Sequence, residues 1–264
     1  MRKADMTGKL KSTTDGQTLV LTLSNPEFKN ALGPEIYAAG IEALNAAENN
    51  TDIRSVVITG DGGVFCAGGH LQRLLANRLQ EPEVQAQNIE SLHNWIDAIR
   101  TYPKPVLAAV EGAASGAGFS LALACDLIVA ASNTVFVMSY STVALSPDGG
   151  ASWVLGRALP RALASELLLC GERISATRLH ELGIINRVCG PGNALTEALS
   201  LATRVNALAP NALASIKELL NDAATNSLSE QLASERDHFV RNLHHSNGAE
   251  GIGALLEKRT PQFR

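Results

Sequence analysis

The chain has 264 residues, 45% of them hydrophobic, with 22 Lys+Arg against 26 Asp+Glu for a formal net charge of −4. That length holds one large α/β domain or a core with an appendage, and a near-balanced charge without runs of one sign excludes generic nucleic-acid binding. Apolar stretches such as 120–131 are broken by Asp126 and fall short of the roughly 20 residues of a membrane helix.

In chain order, residues 18–23 read as a strand that Asn25-Pro26 breaks, and Pro34 opens an amphipathic helix to about Ala47. Residues 55–59 form the next strand, followed by the glycine-rich segment Gly62-Gly63-Val64-Phe65-Cys66-Ala67-Gly68-Gly69-His70. A helix over 88–100 precedes Pro103-Lys104-Pro105, which forces an extended entry into a strand at 106–110. The second glycine-rich segment, Gly112-Ala113-Ala114-Ser115-Gly116-Ala117-Gly118-Phe119-Ser120, runs into a helix reaching Cys125. Strands at 127–131 and 135–138 and a loop at 139–150 follow. Helical spacing then dominates at 161–169, 176–182, 194–207, 212–226 and 228–243, with one strand near 184–188. Strands alternating with helices predict an α/β core.

Each glycine-rich segment closes a β-branched apolar run, so two strand ends aim free backbone N–H groups at one point. Small residues let a ligand oxygen approach the main chain, and a helix start leaves its first amides unpaired with a partial positive charge. Such a point suits a developing oxyanion. Neither segment is a nucleotide loop: the second lacks the third glycine of a dinucleotide fingerprint, and no Gly-Lys-Ser/Thr is present, so NAD and ATP are not expected. Cys66, Cys125, Cys170 and Cys189 are widely spaced and read as buried reduced thiols rather than zinc ligands. Met1-Arg2-Lys3-Ala4-Asp5 has no apolar core behind it, so no secretory signal and a cytoplasmic location are expected.

Together with these segments, Asn25-Pro26-Glu27-Phe28-Lys29-Asn30-Ala31-Leu32, Leu121-Ala122-Leu123-Ala124-Cys125-Asp126, Ser146-Pro147-Asp148-Gly149-Gly150 and the closing 256–263 resemble the crotonase superfamily, the enoyl-CoA hydratases and isomerases. The resemblance spans nearly the whole chain. It implies a spiral of strand-strand-helix turns over 1–192 and a helical region at 193–264 that builds a homotrimer or a dimer of trimers. It also implies a coenzyme A thioester as substrate, with no prosthetic group.

By motif position the oxyanion donors are the N–H groups of Gly69 and Ala117. Hydratases of the family use two glutamates where this chain has Ser120 and Tyr140. Asp148 is the carboxylate that remains, and relatives that shift a double bond carry an aspartate there; Gly116-Ala117-Gly118 and 145–150 most resemble the phenylacetate-type isomerases. Water addition asks for two proton-handling groups, whereas an allylic shift takes a proton from one carbon and returns it to another, which one carboxylate can do.

Alone, Asp148-Gly149-Gly150 is ordinary turn chemistry, and 116–118 is ordinary close packing; the motifs in register turn both toward catalysis. A basic aspartate needs apolar surroundings, for which Val143, Leu145 and Trp153 are the candidates. Lys29 is the cation for a coenzyme A phosphate or else a solvated lysine, and Ala67 accepts from the adenine amino group through its carbonyl. Ala31, His70, Leu71 and Ser120 line the binding site. His70 stands where many relatives have aspartate and reads as a surface or loop-packing substitution. Tyr140 either donates to substrate or fills the space of the glutamate, and Trp153 and Phe65 read as core. The leading expectation is an enoyl-CoA or ring-type epoxyphenylacetyl-CoA isomerase; the alternatives are an enoyl-CoA hydratase and a non-catalytic acyl-CoA binder.

Overall fold

The computed structural model describes residues 8–264. Its elements in order are β1 (Lys9–Asp15), β2 (Thr18–Ser24), α1 (Pro34–Glu48), β3 (Ser55–Gly60), α2 (Leu71–Asn77), α3 (Pro82–Thr101), β4 (Val106–Val110) and β5 (Ala113–Ser115). Then come α4 (Ala117–Ala124), β6 (Leu127–Ala131), β7 (Val135–Val137), α5 (Ala151–Ala158), α6 (Arg161–Ser165), β8 (Arg173–Ser175), α7 (Ala176–Glu181) and β9 (Arg187–Cys189). Four helices close the chain: α8 (Ala194–Asn206), α9 (Pro210–Asp222), α10 (Leu228–Leu243) and α11 (Ser246–Glu257).

The large sheet has the order β1-β2-β3-β4-β6-β9, and a small one has the order β5-β7-β8. Only β1 runs antiparallel in the large sheet. This edge strand is largely exposed, and its Lys9, Lys11 and Asp15 carry the charges that keep an edge from pairing with another chain. The parallel strands inside read as continuous apolar runs because both faces are covered: β4 is buried throughout, and β3 through Thr59. Successive turns send one strand to each sheet. β4 passes through Glu111-Gly112 into β5, and β6 passes through 132–134 into β7.

One face of the large sheet meets the main core around Trp95, Phe119, Leu121 and Phe136. The other meets α8, whose Ala194, Ala198 and Ala202 rest on Val57, Leu107, Ala109 and Val129. Alanines one turn apart let this helix approach the strands closely. Helix α4 is buried along its whole length, which explains why it carries no polar stripe. The Lys217 ammonium on α9 reaches Asp126 at 2.7 Å and the Ile99 carbonyl at 2.8 Å, and Asp126 accepts the Val106 amide at 2.7 Å. That group joins α9, the end of α3 and the start of β4.

Several elements differ from the sequence reading. Strands β1, β5 and β8 and helices α2, α5 and α11 were expected as loops or not at all, since the strands β5 and β8 have three residues each and α2 shows apolar positions to solvent. Helix α3 begins at Pro82, earlier than 88, because Pro at its first turn needs no amide partner. The helix at 161–169 ends in a π-helical turn, Glu166–Cys170. The strand expected at 184–188 starts at Arg187, because the Ile184 and Ile185 amides go to the Leu179 carbonyl and finish α7. Among the described residues no helix is long and apolar enough to cross a membrane.

Candidate active site

Three chain segments cross beneath the site. Asn30, fully buried with φ of 57°, is their junction: its side chain accepts the Asn25 amide at 2.9 Å and donates to the carbonyls of Asp61 at 2.8 Å and Val64 at 2.6 Å. The Ala67 amide donates to the Lys29 carbonyl and the Leu32 amide to the Gly68 carbonyl. On the other side, Phe65 and Cys66 donate to Glu111 and Ala113, and Ser115 donates back to Cys66 at 2.9 Å. The two glycine-rich segments thus lie side by side in a parallel bridge between Cys66 and Ala114.

Contact is closest at two glycines. A Cβ on Gly68, whose φ is +92°, would lie 2.6 Å from the Ser115 carbonyl oxygen and 3.4 Å from the Ala117 amide nitrogen. A Cβ on Gly118 would lie 2.6 Å from the Cys66 carbonyl oxygen. No side chain fits either gap. Next to this contact stand two amides, Gly69 and Ala117, with no hydrogen-bond partner among the described residues. The Ala117 amide opens α4, where the helix dipole adds positive potential.

Asp148 stands in the turn before α5. The Tyr140 hydroxyl donates to its Oδ1 at 2.5 Å, and the Ser120 hydroxyl donates to its backbone carbonyl at 3.0 Å. Burial raises the proton affinity of the Asp148 carboxyl above the usual carboxylate range, while the Tyr140 hydrogen bond and the nearby His93 offset part of that rise. The Tyr140 phenol is raised by its burial and then by the Asp148 charge. Tyr37 of α1 is also raised, by burial first and next by Asp148. One carboxylate accordingly faces two phenols that remain protonated.

His93 and Tyr37 are the members of this group that sequence reasoning missed. Neither lies in a glycine-rich or turn motif, and the helical spacing of α1 and α3 gives no sign of which loop each helix faces.

The remaining expected residues divide. Ser120 is fully buried under the Asp148 turn, and a Cβ on Gly149 would lie 2.8 Å from its Cβ. Ala31 is buried and Ala67 half-buried, and the Ala67 carbonyl has no donor among the described residues. Lys29 is exposed, its ammonium without a partner among the described residues. Leu71 opens α2 and is exposed.

His70 is not on the surface. It is buried against Phe28 with ring centroids 4.5 Å apart, and its Nδ1 accepts the Arg73 amide at 3.4 Å, capping α2 as a short polar side chain would. Val143, Leu145 and Trp153 do not form an apolar wall: all three are substantially exposed. Trp153 is no core residue, because the guanidinium groups of Arg100 and Arg157 lie over its ring at 4.8 and 4.2 Å. Phe65 is fully buried. Only Cys66 and Cys125 are buried thiols; Cys170 is exposed and Cys189 half-buried, and all four are free. Burial pushes the Cys66 thiol up to about 12. Among the described residues no cluster of three or more His, Cys, Asp or Glu side chains is arranged to hold a metal ion.

A two-sheet α/β spiral around a buried central helix, closed by C-terminal helices, is the crotonase fold. The chain belongs to the enoyl-CoA hydratase/isomerase family, whose sequence model matches residues 13–264. Among its relatives, the 1,2-epoxyphenylacetyl-CoA isomerase of Escherichia coli K12 is 36% identical over 93% of this chain and 94% of that protein. The 2,3-dehydroadipyl-CoA hydratase of the same organism is 34% identical over 94% of this chain and 95% of its own length. A crystal structure described as an enoyl-CoA hydratase from Polaromonas sp. JS666 is 78% identical, with a TM-score of 0.96 over 97% of this chain and 99% of that one.

Proposed function

We propose that the protein is an acyl-CoA isomerase that moves a double bond, or opens a ring-type epoxide, next to a coenzyme A thioester. The Gly69 and Ala117 amides donate to the thioester oxygen, and Asp148 takes a proton from one carbon. The resulting enolate or dienolate is held by the two amides, and the same carboxyl returns the proton to a second carbon. Substrate and product have the same composition, so no second reactant enters. Loss of one such oxyanion donor typically costs roughly 3–4 kcal/mol of barrier lowering, which makes the paired amides the larger electrostatic contribution.

Support for this reading comes from the number of carboxylates. Among the described residues, Asp148 is the carboxylate that joins a raised proton affinity to a hydrogen bond from Tyr140, while Ser120 is engaged with the turn backbone and Tyr140 with Asp148 itself. Neither side chain replaces a glutamate in activating water. Lys29 meets a coenzyme A phosphate, the Ala67 carbonyl meets the adenine amino group, and Ala31, Leu71 and the His70 segment border the ligand. The apolar side chains that α9 to α11 leave exposed, Leu220, Phe239 and Leu255 among them, fit a homotrimer or a dimer of trimers.

Hydration is the second reading, favoured by the description of the Polaromonas structure at 78% identity. A 3-enoyl-CoA and crotonyl-CoA distinguish the two. The isomerase conjugates the former and leaves the latter's absorbance nearly unchanged; rapid loss of crotonyl-CoA absorbance establishes the hydratase. Tight binding of both thioesters without conversion of either would identify a non-catalytic binder.

A further inference from the structure

Residue 149 is held from outside its own loop. The Gly149 amide donates to His93 Nε2 at 3.4 Å, and His93 Nδ1 lies 3.9 Å from a Glu90 carboxylate oxygen on the same helix. These two contacts select one tautomer, because a neutral ring that accepts at Nε2 carries its hydrogen on Nδ1, facing Glu90. Leu92 brings the same part of α3 against the turn: a Cβ on Gly149 would lie 3.7 Å from its side chain. Asp148 is the residue immediately before this clamped amide. Its carboxyl is fixed by Tyr140 at one end, and its peptide is fixed by Ser120 and His93 at the other.

We propose that His93 is a positioning residue for the proton transfer: the neutral ring holds the Asp148–Gly149 peptide so that the carboxylate meets the substrate carbons. The inference rests on the isomerase reading for its kinetic consequences, but not for the geometry. Only a ring nitrogen with a free lone pair accepts the Gly149 amide, so the ring that holds it is neutral. A charged ring would instead stand beside Asp148 and make that carboxyl a weaker base, in keeping with the lowering effect of His93 on Asp148. The titratable groups around it are Glu90 and, one turn on, Asp97 from α3, with Asp148 in the facing turn, where Tyr140 donates to its carboxyl and Tyr37 feels its charge. The His93 side chain is 45% exposed, so water screens the charge effect and the lost acceptor is the larger consequence.

Two substitutions separate these effects. His93→Gln places an amide oxygen within similar reach and does not ionise, whereas His93→Leu removes acceptor and charge together. With 3-hexenoyl-CoA, kcat of His93→Leu should fall roughly tenfold, the rate equivalent of one ordinary hydrogen bond, while KM stays within about twofold. His93→Gln should recover most of kcat. In the free protein, carboxyl carbon NMR should show Asp148 titrating at higher pH in both variants. That titration needs no turnover: an unmodified protein that leaves 3-hexenoyl-CoA untouched overturns the isomerase reading, while the Asp148 shift still reports on His93. Wild-type kcat in His93→Leu, an equal loss in both variants, or an unmoved Asp148 titration overturns the proposal.

Discussion

The Tyr140 hydroxyl donates to Asp148 Oδ1 across 2.5 Å, so a side chain expected at a glutamate position of the hydratases is committed to a carboxylate of its own chain. Tyr140→Phe removes a donor that favours the ionised carboxyl, so Asp148 binds its proton still more tightly. A base is active when deprotonated. The acid limb of the kcat/KM profile for 3-enoyl-CoA should therefore move to higher pH, and kcat at its plateau should fall about tenfold for one lost charge-assisted hydrogen bond. An acid limb that stays in place or moves down would show that Tyr140 does not act on Asp148.

Asp148 should also lower the stability of the fold. Its folded-state proton affinity lies above that of an unfolded carboxyl, so the folded state holds more protons through that window, and stability falls as pH rises across it. The loss is complete above the folded-state value. Asp148→Asn cannot ionise, and its amide oxygen still accepts from Tyr140. Urea unfolding should show the variant more stable than the unmodified protein at neutral pH, with the difference vanishing below the ordinary aspartate range.

Gly68 sets the spacing between the two amides. With φ of +92° and a would-be Cβ 2.6 Å from the Ser115 oxygen, Gly68→Ala must both strain its backbone and push the two glycine-rich segments apart. The backbone strain alone costs about 1–3 kcal/mol, and the larger effect should fall on turnover, since the Gly69 and Ala117 amides move with these segments. Activity and thermal midpoint should both drop, activity more steeply.

The Lys217–Asp126 pair ties the C-terminal helices to the core. Burial raises Asp126 and lowers Lys217, so each charge depends on the other at 2.7 Å. Lys217→Met strands a largely buried carboxylate and should cost about 3 kcal/mol in urea unfolding. The double substitution Lys217→Met with Asp126→Asn should cost less than the sum of the single changes.

The parallel strands were legible in the sequence because burial on both faces writes them as unbroken apolar runs: 55–59 and 106–110 match β3 and β4 to within a residue. The short strands were not. β5 and β8 hold three residues each and owe their conformation to β7 lying between them. Glycine spacing pointed to both amide-bearing segments, yet only the fold shows that Gly68 and Gly118 leave no room for a side chain. Aspartate before two glycines is legible as a turn at any surface. Its raised basicity comes from burial, with Ser120 and Leu92 packed against its turn from distant parts of the chain, and the apolar neighbours expected to supply it, Val143, Leu145 and Trp153, are substantially exposed instead.

The role of Asp148 is tested most directly by following the Asp148→Asn protein with a 3-enoyl-CoA, alongside calorimetric binding of an unreactive saturated acyl-CoA. Binding should stay within about twofold of the unmodified protein, while isomerisation falls on the order of a thousandfold, the usual contribution of a positioned general base. Isomerisation at the unmodified rate in that variant would contradict the account.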